Sequence, residues 1–194
     1  MATCPKGSTL NWRGESVHYR MLFGFYGGMA LIAYLVGYVF GVFEAWPSWL
    51  RVPEGRDCGL GVIVALLAAY LMLLLSKQIA FMENLYVELS QALPPRDWRW
   101  NATAGILSGF AEEFAFRGVA LHLLGPLWSS ILFGLLHIGW KRSMWFWPLY
   151  AGGIGWVLAE VTLATGTLWP ASIFHAVYNA VLLQKMGNEL SDRE

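Results

Sequence analysis

Between Met21 and Phe43 the chain carries no charged residue, and between Gly59 and Ser76 it again carries none. An apolar run of about 20 residues is the length of a helix that crosses a bilayer. The composition agrees: 57% of residues are apolar and 13% charged, against about 25% charged in soluble globular domains. Six segments qualify as candidate spans: Met21–Phe43, Gly59–Ser76, Asn101–Leu124, Leu127–Trp140, Met144–Ala164 and Leu168–Lys185. The fourth is short and must tilt or extend past Trp140. There is no strand alternation, repeat or low-complexity tract. Only helices and closed barrels satisfy every backbone polar group in lipid. The expected fold is therefore all-α: a polytopic membrane helix bundle, one domain over residues 1–194.

The basic residues predict an orientation. With six spans and the N-terminus inside, the inner segments hold Lys6, Arg13, Arg20, Lys77, Arg96, Arg99, Lys141, Arg142, Lys185 and Arg193. The outer loops hold Arg51 and Arg56, and Arg117 stays within the membrane. That bias favours both termini in the cytoplasm. Trp46, Trp49, Trp128 and Trp169 then fall at the outer edge, and Trp98, Trp100, Trp140, Trp145 and Trp147 at the inner one, as aromatic belts do. The formal net charge is zero, so nothing points to nucleic acid. Cys4 and Cys58 support neither a disulfide framework nor a thiolate metal site. Residues 1–19 lack the short apolar core and cleavage site of a removable signal peptide.

The loop after the second span has its own pattern. Ile79, Met82, Leu85, Tyr86, Leu89 and Leu93 recur at helical spacing opposite Lys77, Glu83 and Glu88. Two readings of residues 77–93 stand equal: an amphipathic helix on the cytoplasmic face, or an extension of the second span. Pro94 and Pro95 end it.

Charges inside spans are costly, so each is a functional candidate. The third span carries Glu112, Glu113 and Arg117. Glu113 and Arg117 are four apart and share a helix face, which suits an ion pair. Glu112 lies about 100° around the helix and is left for chemistry. Gly105 and Gly109 stand on the Glu112 side at the spacing that lets a neighbouring helix approach closely. The fourth span carries His137 after Phe133, and the sixth carries His175 and Asn179 one turn apart. A lone histidine in a span is more often a packing hydrogen-bonder than a catalyst. Two histidines, an asparagine and an unpaired glutamate on three helices shift that balance. At about 1.5 Å per residue, Glu112, His175 and Asn179 come to similar depths. His137 comes out shallower, close to Lys141.

These clusters, Glu112-Glu113-Arg117, Phe133-His137 and His175-Asn179 in that order, resemble the EExxxR, FxxxH and HxxxN/D signature of the CPBP family of CAAX and bacteriocin-processing proteases. That family includes the type II CAAX prenyl endopeptidases. The resemblance spans about residues 101–185, and every signature position is filled. It implies an intramembrane endopeptidase. Glu112 as general base and His137 would activate water, and His175 and Asn179 would donate to the oxyanion. Phe133 would pack and orient the site, while Arg117 holds Glu113 in support. The substrate would be membrane-associated: a C-terminal tail, a leader or a prenylated C-terminus.

Family members are often described as metalloproteases. Glu112, His137 and His175 could form a zinc set with water in the fourth position, but no HExxH motif is present. If Glu112 bound the metal, the remaining base would be Glu113, which is committed to Arg117. The metal-free, glutamate-dependent route is therefore favoured over zinc. Two other readings stand beside the protease: a non-catalytic immunity or scaffold protein of the same fold, and a proton-coupled transporter, the latter weakened by the lack of inverted repeats. The expected partners are the lipid bilayer and a membrane-anchored protein or peptide, and the expected location is a bacterial inner membrane. Glu160, in the fifth span, has no assigned role; headgroups or Arg51 and Arg56 are in reach of it.

Overall fold

The computed structural model describes residues 12–45, 51, 54–92, 97–139 and 141–191. The N-terminal stretch with Cys4 and Lys6 lies outside them, as do Trp46, Trp49, Leu93, Pro94, Pro95, Arg96, Trp140 and Arg193. Among the described residues all regular structure is helical. The helices are α1 (Trp12–Val39), α2 (Val42–Ala45), α3 (Gly55–Gln78), α4 (Ala80–Ala92), α5 (Trp98–Glu113), α6 (Leu121–Leu135), α7 (Trp147–Thr165) and α8 (Trp169–Ser191). A π-helical segment, Phe114–Ala120, joins α5 to α6.

Three stretches are long and apolar enough to cross a membrane: His18–Val39, Gly55–Leu75 and Trp98–Leu135. The third is not one rod. Gly125 sits at φ 78°, ψ 171°, a conformation open mainly to glycine, and Pro126 follows it. The chain turns there, where the sequence separates its third and fourth candidate spans. Large apolar side chains such as Leu31, Ile32 and Val39 of α1 and Ile63 and Leu67 of α3 point outward, uncovered by protein. That suits a lipid solvent, and the molecule is an integral membrane helix bundle.

The fourth segment departs from expectation. Its helix ends at Leu135 rather than running to Trp140. The leg after Pro126 covers about 15 Å at 1.5 Å per residue, half of a bilayer core. His137 stands in the turn that follows, its N–H bonded to the Gly134 carbonyl at 2.9 Å. The histidine therefore stands on a turn after the helix end and not on the helix itself.

α4 resolves the pattern in residues 77–93. The backbone breaks at Ile79 (φ −121°, ψ 109°), so α4 is a separate helix and not a continuation of α3. Its apolar face is covered by protein. Met82, Leu85, Tyr86 and Leu89 are buried in one cluster with Phe174, Tyr178, Leu182 and Met186 of α8. An ion pair between Glu88 and Lys141 ties α4 to the chain just past the His137 turn.

α8 is the central helix, flanked by α5, α3 and α4. Asp97 starts α5 by accepting the Trp100 N–H at 2.8 Å, a side-chain N-cap. Along the α5–α8 seam both faces are small. A Cβ on Gly105 would stand 2.6 Å from the Ala176 carbonyl oxygen, and one on Gly109 would stand 2.5 Å from the Ala176 nitrogen. Polar groups stitch the same seam, with Asn101 Nδ2 donating to Gln184 Oε1 at 3.0 Å and Asn179 Nδ2 to Ser108 Oγ at 2.9 Å. The glycine pair read from the sequence thus opens α5 to α8. Gly109→Ala is expected to force the helices apart at a cost of about 1–3 kcal/mol. Gly153→Ala, where an added methyl meets nothing within 4 Å, is expected to be neutral. Thermal unfolding of both variants in one detergent makes the comparison.

Candidate active site

The α5–α8 seam sets two parts of the site against each other. Glu112 and Glu113 end α5, and His175 and Asn179 lie one turn apart on α8. Glu113 is fully buried and Arg117 is 1% exposed. Arg117 Nη1 donates to Glu113 Oε1 at 3.0 Å, and Nη2 donates to the Gly155 carbonyl of α7 at 3.0 Å. The guanidinium lies 4.4 Å from the centroid of the Phe133 ring, a cation–π distance. π-helical turns of the kind that carries Arg117 are frequent at functional sites.

Glu113 also reaches across to α8. His175 Nδ1 lies 2.8 Å from the same Oε1. Phe133 meets His175 edge-on, centroids 5.9 Å apart, and packs against His137 at 4.5 Å. His137 Nδ1 lies 2.7 Å from the Phe133 carbonyl oxygen, which can only accept. That bond fixes the tautomer: Nδ1 carries the proton, and in the neutral ring Nε2 presents a lone pair. Trp147 closes the far side of His137 at 5.3 Å.

The two imidazoles converge on Glu112. His137 Nε2 and His175 Nε2 are each 3.9 Å from Glu112 Oε2. That oxygen is buried and has no hydrogen-bond partner among the described residues. Gaps of 3.9 Å are too long for direct hydrogen bonds and are the kind a bridging water fills. The structure therefore gathers Glu112, His137 and His175 at one point, with Glu113, Arg117 and Phe133 behind them. Asn179 stands one turn further along α8, half-buried and bonded to Ser108.

Two partners of this cluster were not singled out in the sequence. Tyr26 of α1 lies close to Ser108 and Glu112. Ser108 also donates to the Gly105 carbonyl at 3.1 Å. Ser108 had a legible signal, since it lies one turn before Glu112 on the glycine-lined face. Tyr26 had none, being one aromatic among many in the first apolar run. Glu160 lies apart and accepts from Trp156 Nε1 at 3.0 Å.

The fit to a metal can be judged from the donor atoms. Tetrahedral zinc with bonds of about 2.0–2.1 Å brings its ligand atoms to roughly 3.3 Å of one another. Glu112 Oε2 stands 3.9 Å from each imidazole nitrogen, and among the described residues no three His, Cys, Asp or Glu side chains are grouped to hold an ion. The set as arranged is wider than a zinc site.

Comparison with known families bears directly on this region. A family model described as "Type II CAAX prenyl endopeptidase Rce1-like" matches residues 94–181. The segment is similar to that family over a little under half of the chain. It starts just before α5, takes in the π-helical segment, α6 and α7, and ends within α8, so it contains every residue of the cluster except Tyr26. The match agrees with the family that the three motifs resemble, and the family is one of proteases. No curated protein and no solved structure matches the chain significantly.

Proposed function

We propose that this chain is an intramembrane endopeptidase that hydrolyses a peptide bond of a membrane-anchored protein or peptide with water activated by Glu112 and His137. The observation that carries the reading is the convergence of one carboxylate oxygen and two imidazole nitrogens at 3.9 Å inside a bundle of apolar helices.

In this reading a water bridges Glu112 Oε2 and His137 Nε2, both of which are acceptors. Glu112 takes a proton as the oxygen adds to the carbonyl carbon. The tetrahedral intermediate collapses with cleavage of the C–N bond, and the proton passes to the leaving nitrogen. The developing oxyanion needs donors. Asn179 uses one amide proton on Ser108 and keeps the other. His175 directs Nδ1–H at Glu113, so it donates through Nε2 when the ring is the imidazolium, a form that the Glu113 carboxylate supports. The substrate is a C-terminal tail, a leader or a prenylated C-terminus delivered within the membrane. The proposed location is a bacterial inner membrane, with both chain termini in the cytoplasm.

Terminus-enriched mass spectrometry on cells carrying the native chain or Glu112→Gln tests the reading. A defined set of protein termini that disappears in the variant supports it and names the substrates. Unchanged termini, with the variant expressed and inserted normally, would overturn it. The mechanism also predicts that the purified protein keeps full cleavage activity after exhaustive chelation. A loss restored by added zinc would instead make Glu112, His137 and His175 ligands.

A further inference from the structure

His137 stands beyond the end of α6, and the next long helix, α7, begins at Trp147. Between them the chain forms one 3₁₀ turn, Arg142–Met144. Helical hydrogen bonding fixes little of this segment, so its attachments decide where His137 stands. The segment doubles back tightly: a Cβ on Gly139 would stand 2.5 Å from the Met144 Cβ. Met144 is itself buried in the cluster that holds Met82, Leu85, Tyr86 and Leu89 of α4. Lys141, four residues past His137, pairs with Glu88 of α4. Both attachments lead to the same short helix.

α4 also reaches the other imidazole. Its apolar face lies in one cluster with Phe174 and Tyr178, which flank His175 on α8. One helix is thus fastened both to the element that carries His175 and to the turn that carries His137. Each imidazole stands 3.9 Å from one carboxylate oxygen of Glu112, so the site depends on how far apart the two rings are held, and α4 spans that gap. α4 (Ala80–Ala92) lies outside the segment that matches the family. The Glu88–Lys141 pair is poorly placed to hold the fold as a whole. The Lys141 side chain is 56% exposed, and exposed ion pairs add little to global stability. Such a pair can still select one position for a turn that regular structure leaves loose.

We infer that Glu88 and Lys141 are positioning residues: their ion pair clasps the His137 turn to α4 and so sets His137 against His175 and Glu112. Neither residue touches the reacting atoms. The inference rests on the protease reading and adds to it an element that the three sequence motifs do not contain.

The test uses the full chain in detergent and a fluorogenic peptide spanning a cleavage site found by the terminus comparison. Glu88→Lys and Lys141→Glu each place like charges together, and the double variant Glu88→Lys/Lys141→Glu restores a pair of opposite sense. Each single variant is expected to lower kcat roughly ten-fold, between the worth of an exposed ion pair and that of a misplaced catalytic group, with KM and the thermal midpoint unchanged. Amide hydrogen exchange over residues 136–144 is expected to quicken in the single variants, as a loosened segment does. The double variant is expected to return both kcat and exchange to near the native values. Faster exchange with an unmoved kcat would overturn the inference and leave the clasp a feature of the loop alone. A kcat loss that persists in the double variant, or that follows a fallen thermal midpoint, would also overturn it. None of these results touches the protease reading, whereas cleavage by Glu112→Gln at the native rate would defeat that reading and this inference with it.

Discussion

Glu112→Gln is expected to slow cleavage by roughly a hundred- to ten-thousand-fold, the usual worth of a general base, without loss of thermal stability. Glutamine keeps the shape of the side chain. It has no basic lone pair for a water proton. The site should tolerate the change because Glu112 Oε2 has no hydrogen-bond partner among the described residues to lose. Glu113→Gln reverses the pattern. Glu113 Oε1 holds both Arg117 and His175, so removing its charge leaves a buried guanidinium uncompensated and should lower stability first. Rates on a peptide from the terminus comparison, read beside thermal midpoints for the two variants, separate the roles. Stable, fully active Glu112→Gln would remove Glu112 from the reaction.

Much of the site was legible because membrane solvent makes polarity informative. In an apolar run, Glu112, Glu113, Arg117, His137, His175 and Asn179 stand out by cost alone, and helical periodicity assigns Glu113 to Arg117. The glycine spacing of Gly105 and Gly109 likewise foretells a close helix neighbour, though not that the neighbour is α8. What sequence arithmetic could not supply was tertiary. Depth counted along a straight span made His137 shallow, because nothing in a rise per residue says that a helix stops at Leu135 and releases a turn. The apolar stripe of α4 marks a buried face but not its partner, and a helix floating on lipid and one packed on α8 need the same pattern. Tyr26 was invisible for a similar reason: only the packing of α1 against α5 brings it beside Ser108 and Glu112.

The largest loss of stability is expected from Arg117→Met. The guanidinium is held by a carboxylate at 3.0 Å, a carbonyl at 3.0 Å and an aromatic face at 4.4 Å. Methionine fills part of the volume and supplies no donor. It leaves the fully buried Glu113 without its cation and the Gly155 carbonyl without its donor. Removing one partner of a buried pair costs about 3–5 kcal/mol, which for a chain of this length lowers the thermal midpoint by on the order of 10 °C. The physical cause can be separated from lost packing with the double variant Arg117→Met/Glu113→Leu. Replacing both partners by apolar groups removes the uncompensated charge, and such exchanges are often neutral or stabilising. The double variant is therefore expected to recover most of the lost stability in detergent. It is not expected to recover cleavage, since His175 then has no carboxylate for Nδ1 and Phe133 no cation against its face. A double variant as unstable as Arg117→Met would refute the charge argument and leave packing around Arg117 as the source. Recovery of both stability and cleavage would show that Glu113 and Arg117 serve the fold alone.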